Sequence, residues 1–134
     1  VVDLGNAVSL KYTLPMGAHD LKDVTEGISV RMSHAGDTFL PFGGTEEEIL
    51  DDGEVVYAAG SQIRTRRWTW RQSQHGEIEP ETSYVFFPID GFTDFNKAEV
   101  LAARDELEQK LKDVFGCETL VGFLDAEHPE MVWE

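Results

Sequence analysis

The residues with the clearest potential for chemistry lie in one short segment, RTRRWTWR, at residues 64–71. Four of the six arginines and two of the three tryptophans in the chain fall within these eight residues. A guanidinium is a planar donor that fits phosphate or carboxylate, and an indole is a flat surface for stacking. Together they suit a single-stranded nucleic-acid end, an aminoacyl ester or a nucleotide.

The spacing predicts that this segment is part of a strand over residues 62–71, paired as a hairpin with a strand over residues 54–59. Side chains alternate between the two faces of a strand. One face would therefore carry two arginines and both tryptophans: Arg64, Arg66, Trp68 and Trp70. The other face would carry Arg67 and Arg71 with two threonines. The alternative is that the tryptophans are core residues and the arginines pair with nearby acids.

The remaining reactive side chains give one further candidate. His19 precedes Asp20, and a histidine beside a carboxylate can act as a general base or orient a water. The alternative for His19 is a surface histidine without a role. No two of the four histidines have metal-ligand spacing on one predicted helix, and the single cysteine, Cys117, excludes an internal disulfide and a cysteine-based zinc site. We expect no metal and no cofactor.

The elements that must position these residues are short. Apolar spacing predicts a helix over residues 3–14 that ends at Pro15, and a second helix from about Asn96 to Gly116. The other predicted strands lie at residues 28–32, 38–40, 83–89 and within 118–125. Residues 46–54 have the acidic composition of a solvated connection. The elements add up to a mixed α+β, strand-rich fold with two helices.

Length and charge limit the function classes. A chain of 134 residues with 41% hydrophobic residues is the size of one domain with a real core. The formal net charge of -15 excludes a nucleic-acid coat protein with a diffuse basic surface. Such acidity favours solubility and indicates adaptation to high salt. The absence of a membrane-spanning apolar run and of a signal pattern predicts a cytoplasmic protein.

Two groups of motifs resemble a known domain family. VVDLGN at residues 1–6 and LPMGAHDL at residues 14–21 resemble the start of the B3/B4 domain in the beta subunit of bacterial phenylalanyl-tRNA synthetase. GEVVY at residues 53–57, RRWTWR at residues 66–71 and the pair Glu81-Thr82 are similar to free-standing members of that family. The motifs occur in order from Val1 to about Ile89.

The resemblance implies a sandwich-like sheet core of the synthetase editing-domain type with flanking helices. In the synthetase this domain hydrolyses tRNA wrongly charged with tyrosine, and free-standing members are described as tRNA-binding. The implied partner is therefore a tRNA acceptor end or an aminoacyl-tRNA, and the implied activity is trans-acting deacylation or binding alone. Domains of the family carry a further segment before the point where this chain starts, so we expect a single domain that lacks this N-terminal segment.

The site residues of the family can be placed on this chain position by position. Its site-forming Asn corresponds to Asn6, and the preceding Thr to Gly5. Its pocket His falls at Gly17, with His19 two residues later, and its pocket Glu falls near Pro88. The correspondence carries over Asn6, whereas the pocket His and Glu of the family are not matched. We predict Asn6 and His19 as catalytic residues, because an amide and an imidazole can position a water and stabilise a developing oxyanion. The predicted substrate-binding residues are Asn6, Arg66, Arg67, Trp68, Trp70, Arg71 and Thr82.

Two other functions stay open on the sequence. The net charge of -15 repels a polyanion and favours a pocket for a free amino acid or nucleotide without RNA. The Arg/Trp segment can also be purely structural, with buried packing and ion pairs. If RNA is the ligand and about three to four arginines contact phosphates, log affinity falls with log salt concentration at a slope of about -2 to -3.

Overall fold

The computed structural model describes residues 1–133 as two compact units, each with its own apolar cluster. The helical unit contains Val1–Gly17 and the chain from Phe87 onward, and the sheet unit contains Ala18–Phe86. The α+β class predicted from the sequence is confirmed, since two helices occur with a mixed, multistranded sheet.

The helical unit is built from α1 (Val2–Tyr12) and α2 (Lys97–Phe115), so both predicted helices are confirmed. α1 ends where Thr13 adopts a left-handed backbone, two residues before Pro15, and α2 ends at the left-handed Gly116. The apolar faces of the two helices meet in a buried cluster formed by Val8, Leu14, Ala103 and Leu107.

The sheet unit contains eight short strands within the described residues. They are β1 (His19–Asp20), β2 (Ser29–Met32), β3 (Thr38–Phe39), β4 (Glu48–Ile49), β5 (Val55–Ala59), β6 (Gln62–Arg66), β7 (Arg71–Gln72) and β8 (Val85–Phe86). The larger sheet has the order β2-β5-β6-β3-β4, with β7 also paired to β6, and β1 pairs with β8 in a separate two-stranded sheet. The hydrophobic core cluster of the sheet unit is formed by Phe39, Leu50, Val56, Ala58 and Ile63.

The strand predictions differ in their outcome. Those at residues 28–32, 38–40 and 54–59 are confirmed as β2, β3 and β5. The strand at 83–89 shortens to β8, and the acidic connection contains the short β4. The prediction at 118–125 is wrong, because these residues form neither strand nor helix and leave Leu120 and Leu124 exposed. An apolar alternation makes a strand only where a neighbouring strand is available to pair with it.

The predicted strand over residues 62–71 is also wrong beyond Arg66. β6 ends there, and the chain turns and returns as β7. The predicted alternation of faces past Arg66 fails for the same reason. The segment contains no Gly, Asn or Pro, the residues that usually indicate a turn.

Candidate functional site

The four residues between β6 and β7, residues 67–70, form a tight reversal that we call the Arg–Trp turn. Arg66 and Arg71 pair across the hairpin that it closes. Its first two residues, Arg67 and Trp68, have left-handed backbones with φ of 46° and 62°. This conformation costs a residue with a side chain roughly 1–2 kcal/mol. Because two adjacent bulky residues adopt it, contacts from outside the turn must hold it.

Those contacts come from the chain just before and within β5. The carboxylate of Glu54 accepts a hydrogen bond from the backbone N–H of Arg67, with 3.1 Å between N and Oε1. The backbone N–H of Trp68 donates to the carbonyl oxygen of Val55 at 2.7 Å. Both left-handed residues are therefore bound through their main-chain N–H groups.

The turn presents one tryptophan and two arginines to solvent. Trp70 is 54% exposed, and Arg67 and Arg71 are exposed beside it. The Cζ atoms of these arginines lie 4.5 Å and 5.7 Å from the centroid of the Trp70 ring, within the range of cation–π contact. We call Arg67, Trp70 and Arg71 the Arg–Trp surface. Trp68, by contrast, is half-buried.

Arg66 is committed to two carboxylates. Its Nη1 lies 2.8 Å from Oε2 of Glu48, and its Nη2 and Nε lie 2.8 Å and 2.9 Å from the two oxygens of Glu54. The hydrogen bonds and charge of Arg66 hold the pKa of Glu54 below its usual value, so the pair is fully ionised at neutral pH. Arg66 is therefore held in ion pairs within the protein and is largely buried, with 18% of its side chain exposed.

Arg64 is sealed in the interior. The residue is 2% exposed, and its Nη1 reaches the carbonyl oxygen of Asp20 at 3.5 Å. Its Nε has no hydrogen-bond partner among residues 1–133. The ion-pairing and burial of the alternative interpretation thus apply to Arg64 and Arg66, whereas Arg67 and Arg71 remain in contact with solvent.

His19, a predicted catalytic residue, lies between aromatic rings. Its ring stacks on Tyr57 and tilts against Phe86, with both centroid distances 6.3 Å, and the residue is 1% exposed. Burial, followed by the charge of Arg64, lowers the pKa of His19 to about 4. The imidazole is therefore neutral at pH 7, and its Nδ1 has no hydrogen-bond partner among residues 1–133.

Thr82, a predicted substrate-binding residue, is bound to Asp20. Its hydroxyl donates to Oδ2 of Asp20 at 2.6 Å and accepts from the backbone N–H of Glu79 at 2.9 Å. The other oxygen of Asp20 accepts from the backbone N–H of Lys22 at 2.8 Å. The Thr82 hydroxyl therefore fixes the chain before β8 to the end of β1.

Asn6, predicted to be both catalytic and substrate-binding, is exposed on α1. It belongs to the helical unit, whereas the other predicted site residues belong to the sheet unit. Of the predicted set, the structure brings Arg67, Trp70 and Arg71 together at the surface.

Sequence reasoning missed the acids that hold the arginines. Glu54 follows Gly53 at the start of a predicted strand, and Glu48 lies in the acidic connection. A single acid in a chain with 26 of them gives no sign of its partner. The nearest signal is the short sequence distance between Glu54 and Arg66, which suits two strands of one hairpin.

Other features of the described residues do not define a site. No three His, Cys, Asp or Glu side chains in residues 1–133 are arranged to hold a metal ion. A hollow in the sheet unit is lined in part by Asp23, Glu26 and Gln62, whose two carboxylates oppose an anionic ligand. Over the same residues, neither helix has the length and apolar character needed to cross a lipid bilayer.

Comparison with known proteins identifies the family. No curated protein sequence matches the chain. The sequence model of the B3/4 domain matches residues 1–112, which include both helices up to Lys112, all eight strands and the Arg–Trp surface. Because this match covers most of its length, the chain belongs to the B3/4 domain family, whose domain is of the phenylalanyl-tRNA synthetase type.

Proposed function

We propose that the protein binds the single-stranded acceptor end of tRNA through the Arg–Trp surface. The observation that carries the proposal is an exposed indole with two exposed guanidiniums at cation–π distance. A stacking platform beside positive charge is the usual arrangement for unpaired nucleotides. Membership of a synthetase-type domain family supports tRNA as the source of those nucleotides.

On binding, the guanidiniums leave the Trp70 ring and form hydrogen bonds with phosphate. In the free protein Arg67 lies over the Trp70 ring at 4.5 Å. A phosphate forms stronger, charge-assisted hydrogen bonds with a guanidinium than the ring does. As the guanidinium turns to the phosphate, it uncovers indole surface on which the adjoining base can stack. The two interactions therefore favour a phosphate and a base that are covalently joined.

For binding, the attraction between RNA and the two exposed guanidiniums must exceed the repulsion between RNA and the net negative charge of the protein. The net charge of -15 repels RNA at long range, and two guanidiniums attract it at contact. Repulsion between separated charges is screened within roughly 8 Å at physiological ionic strength. We therefore expect slow, salt-dependent association and a bound state that depends on stacking.

Hydrolysis of a mischarged aminoacyl-tRNA is the reaction that such binding would serve, by analogy with the family. An aminoacyl ester is already activated, so its hydrolysis needs a positioned water and donors for the developing oxyanion more than a strong nucleophile. His19 is a weak base with a pKa of about 4 and is 1% exposed, so we assign it to packing.

The test compares tRNA with and without its unpaired 3′ end. We expect the protein to bind the intact tRNA more tightly, and the double variant Arg67→Ala/Arg71→Ala to lose this preference. The variant Lys22→Ala/Lys110→Ala makes the same change in net charge elsewhere and should retain it. Equal binding of both tRNAs by the unmodified protein would contradict the proposal. Thermal stabilisation by a free nucleotide or amino acid alone would favour a small-molecule pocket.

A deacylation assay separates binding from catalysis. A panel of mischarged tRNAs is incubated with the protein, and loss of the aminoacyl group is followed for each. If Asn6 is catalytic, as its correspondence with the family's site-forming Asn predicts, Asn6→Ala slows deacylation. Absence of deacylation across the panel, together with tight binding, would leave a binding protein without editing activity.

A further inference from the structure

Glu54 contacts both the structural arginine and the exposed turn. One oxygen of its carboxylate accepts from Nε of Arg66 and from the backbone N–H of Arg67, and the other accepts from Nη2 of Arg66. The side chain of Glu54 is only 20% exposed. The carboxylate thus ties a fixed guanidinium to the first left-handed residue of the Arg–Trp turn.

Glu48 offers an internal comparison, because it binds the same guanidinium without binding the turn. Its Oε2 lies 2.8 Å from Nη1 of Arg66. The backbone N–H groups of residues 67–70 donate instead to Glu54, Val55, Arg67 and Arg66. The two acids therefore share the ion pair with Arg66 and differ in contact with the turn backbone.

The left-handed turn is what places Trp70 beside two arginines. A continuous strand would set neighbours 70 and 71 on opposite faces. In the observed turn both Arg67 and Arg71 reach the Trp70 ring. A backbone conformation this costly persists only where surrounding contacts impose it. Glu54 supplies the contact to Arg67, and Val55 supplies that to Trp68.

We propose that Glu54 is a positioning residue that gives the Arg–Trp surface its selectivity for an unpaired nucleotide over a polyanion without bases. This inference rests on the proposed RNA-binding function. Binding of a polyphosphate depends only on the charges of Arg67 and Arg71 and does not require a particular conformation of the turn. A nucleotide also needs the ring of Trp70 beside those charges, and hence the turn that Glu54 fixes.

The test measures the affinity of two ligands for each of two matched variants. The ligands are a labelled single-stranded RNA oligonucleotide and inorganic polyphosphate, and the variants are Glu54→Ala and Glu48→Ala, which change the net charge equally. We expect Glu54→Ala to weaken RNA binding about tenfold, in the range expected for loss of one base stack. Glu48→Ala should change it less than twofold, and the two variants should change polyphosphate binding equally. An equal loss of RNA affinity in both variants would overturn the proposal.

A second variant and a second readout separate this inference from the proposed function. Glu54→Gln keeps one acceptor oxygen and the shape of the side chain, so it should fold and give an intermediate loss of RNA affinity. Amide hydrogen exchange at Arg67 and Trp68 should accelerate in Glu54→Ala and stay unchanged in Glu48→Ala. If the unmodified protein binds no RNA, the proposed function fails, and this exchange still decides whether Glu54 positions the turn. Unchanged exchange in Glu54→Ala overturns the positioning role.

Discussion

Folding transfers the imidazole of His19 from water to a buried position between two aromatic rings. Its pKa falls to about 4 in the folded state, mainly through burial, whereas an unfolded histidine titrates near 6.5. The unfolded state therefore binds the proton more readily between these values. Stability is fully present above pH 6.5 and decreases as the pH falls toward 4, by about 3 kcal/mol at the lower end.

The variant His19→Phe tests this pH dependence. It keeps an aromatic ring between Tyr57 and Phe86 and removes the titrating group. We expect a flatter profile of unfolding free energy between pH 6.5 and 4.5, measured by urea unfolding. His34→Gln, at an exposed position, is the control and should keep the slope. The attribution to His19 is wrong if His19→Phe retains the full slope.

Trp70 is the uncharged side chain of the proposed RNA-binding surface. Stacking is worth about 1–3 kcal/mol per base. It neutralises no phosphate, so it does not contribute to the salt slope. We therefore expect Trp70→Ala to weaken single-stranded RNA binding by about tenfold and to leave the salt slope unchanged, and Trp70→Phe to recover part of the loss. Fluorescence anisotropy titrations at several salt concentrations measure both quantities. A change in slope with Trp70→Ala would mean that the ring acts by orienting the arginines instead.

At the scale of the elements, the two helices end in the same backbone conformation with opposite residue types. Thr13 after α1 has φ of 55°, and Gly116 after α2 has φ of 62°. A β-branched residue is strained there by roughly 1–2 kcal/mol, and glycine is not. The exposed Thr13 therefore weakens the end of α1, and Gly116 suits the end of α2.

Exchanging the residue types at these helix ends should shift stability in opposite directions. We expect Thr13→Gly to raise the free energy of unfolding by about 0.5–1 kcal/mol, because relief of strain exceeds the entropic cost of glycine. Gly116→Ala should lower it by about 1 kcal/mol through the backbone alone, since the added Cβ would have no atom within 4 Å outside its local stretch of chain. Chemical denaturation measures both, and a loss of stability in Thr13→Gly would contradict the argument.

The elements also show what the sequence can predict. Pro15 and Gly116 act locally, so the ends of both helices are close to their predicted positions. The break after Arg66 depends on a carboxylate from the neighbouring strand region, and no local residue type indicates it. For the candidate site, residue types were enough to single out the segment at residues 64–71. Separating the exposed Arg67, Trp70 and Arg71 from the ion-paired Arg66 and the half-buried Trp68 required the three-dimensional structure.

At the scale of the whole molecule, the net charge of -15 opposes both folding and RNA binding, and salt affects the two differently. Salt at 1 M shortens the screening length to about 3 Å and relieves repulsion among the carboxylates. We expect molar KCl to stabilise the protein by at least about 1 kcal/mol, or roughly 4 °C in Tm. Replacing exposed acids by amides in Glu46→Gln/Glu47→Gln should raise Tm in dilute buffer and reduce the gain from salt. A Tm independent of salt would contradict adaptation to high salt.

RNA affinity should change with salt in the opposite direction and by a predictable amount. Sequence reasoning assumed about three to four arginine–phosphate contacts, but Arg64 is buried and Arg66 is paired to two acids. Two guanidiniums remain, and for single strands each phosphate contact contributes about 0.7 to the slope. We therefore expect log affinity to fall against log salt with a slope of about -1.4, measured by titrations in KCl. A slope near -2, about three contacts, would mean that Arg66 leaves its carboxylates to bind phosphate. A slope near zero would remove phosphate contact from the proposed function and leave stacking alone.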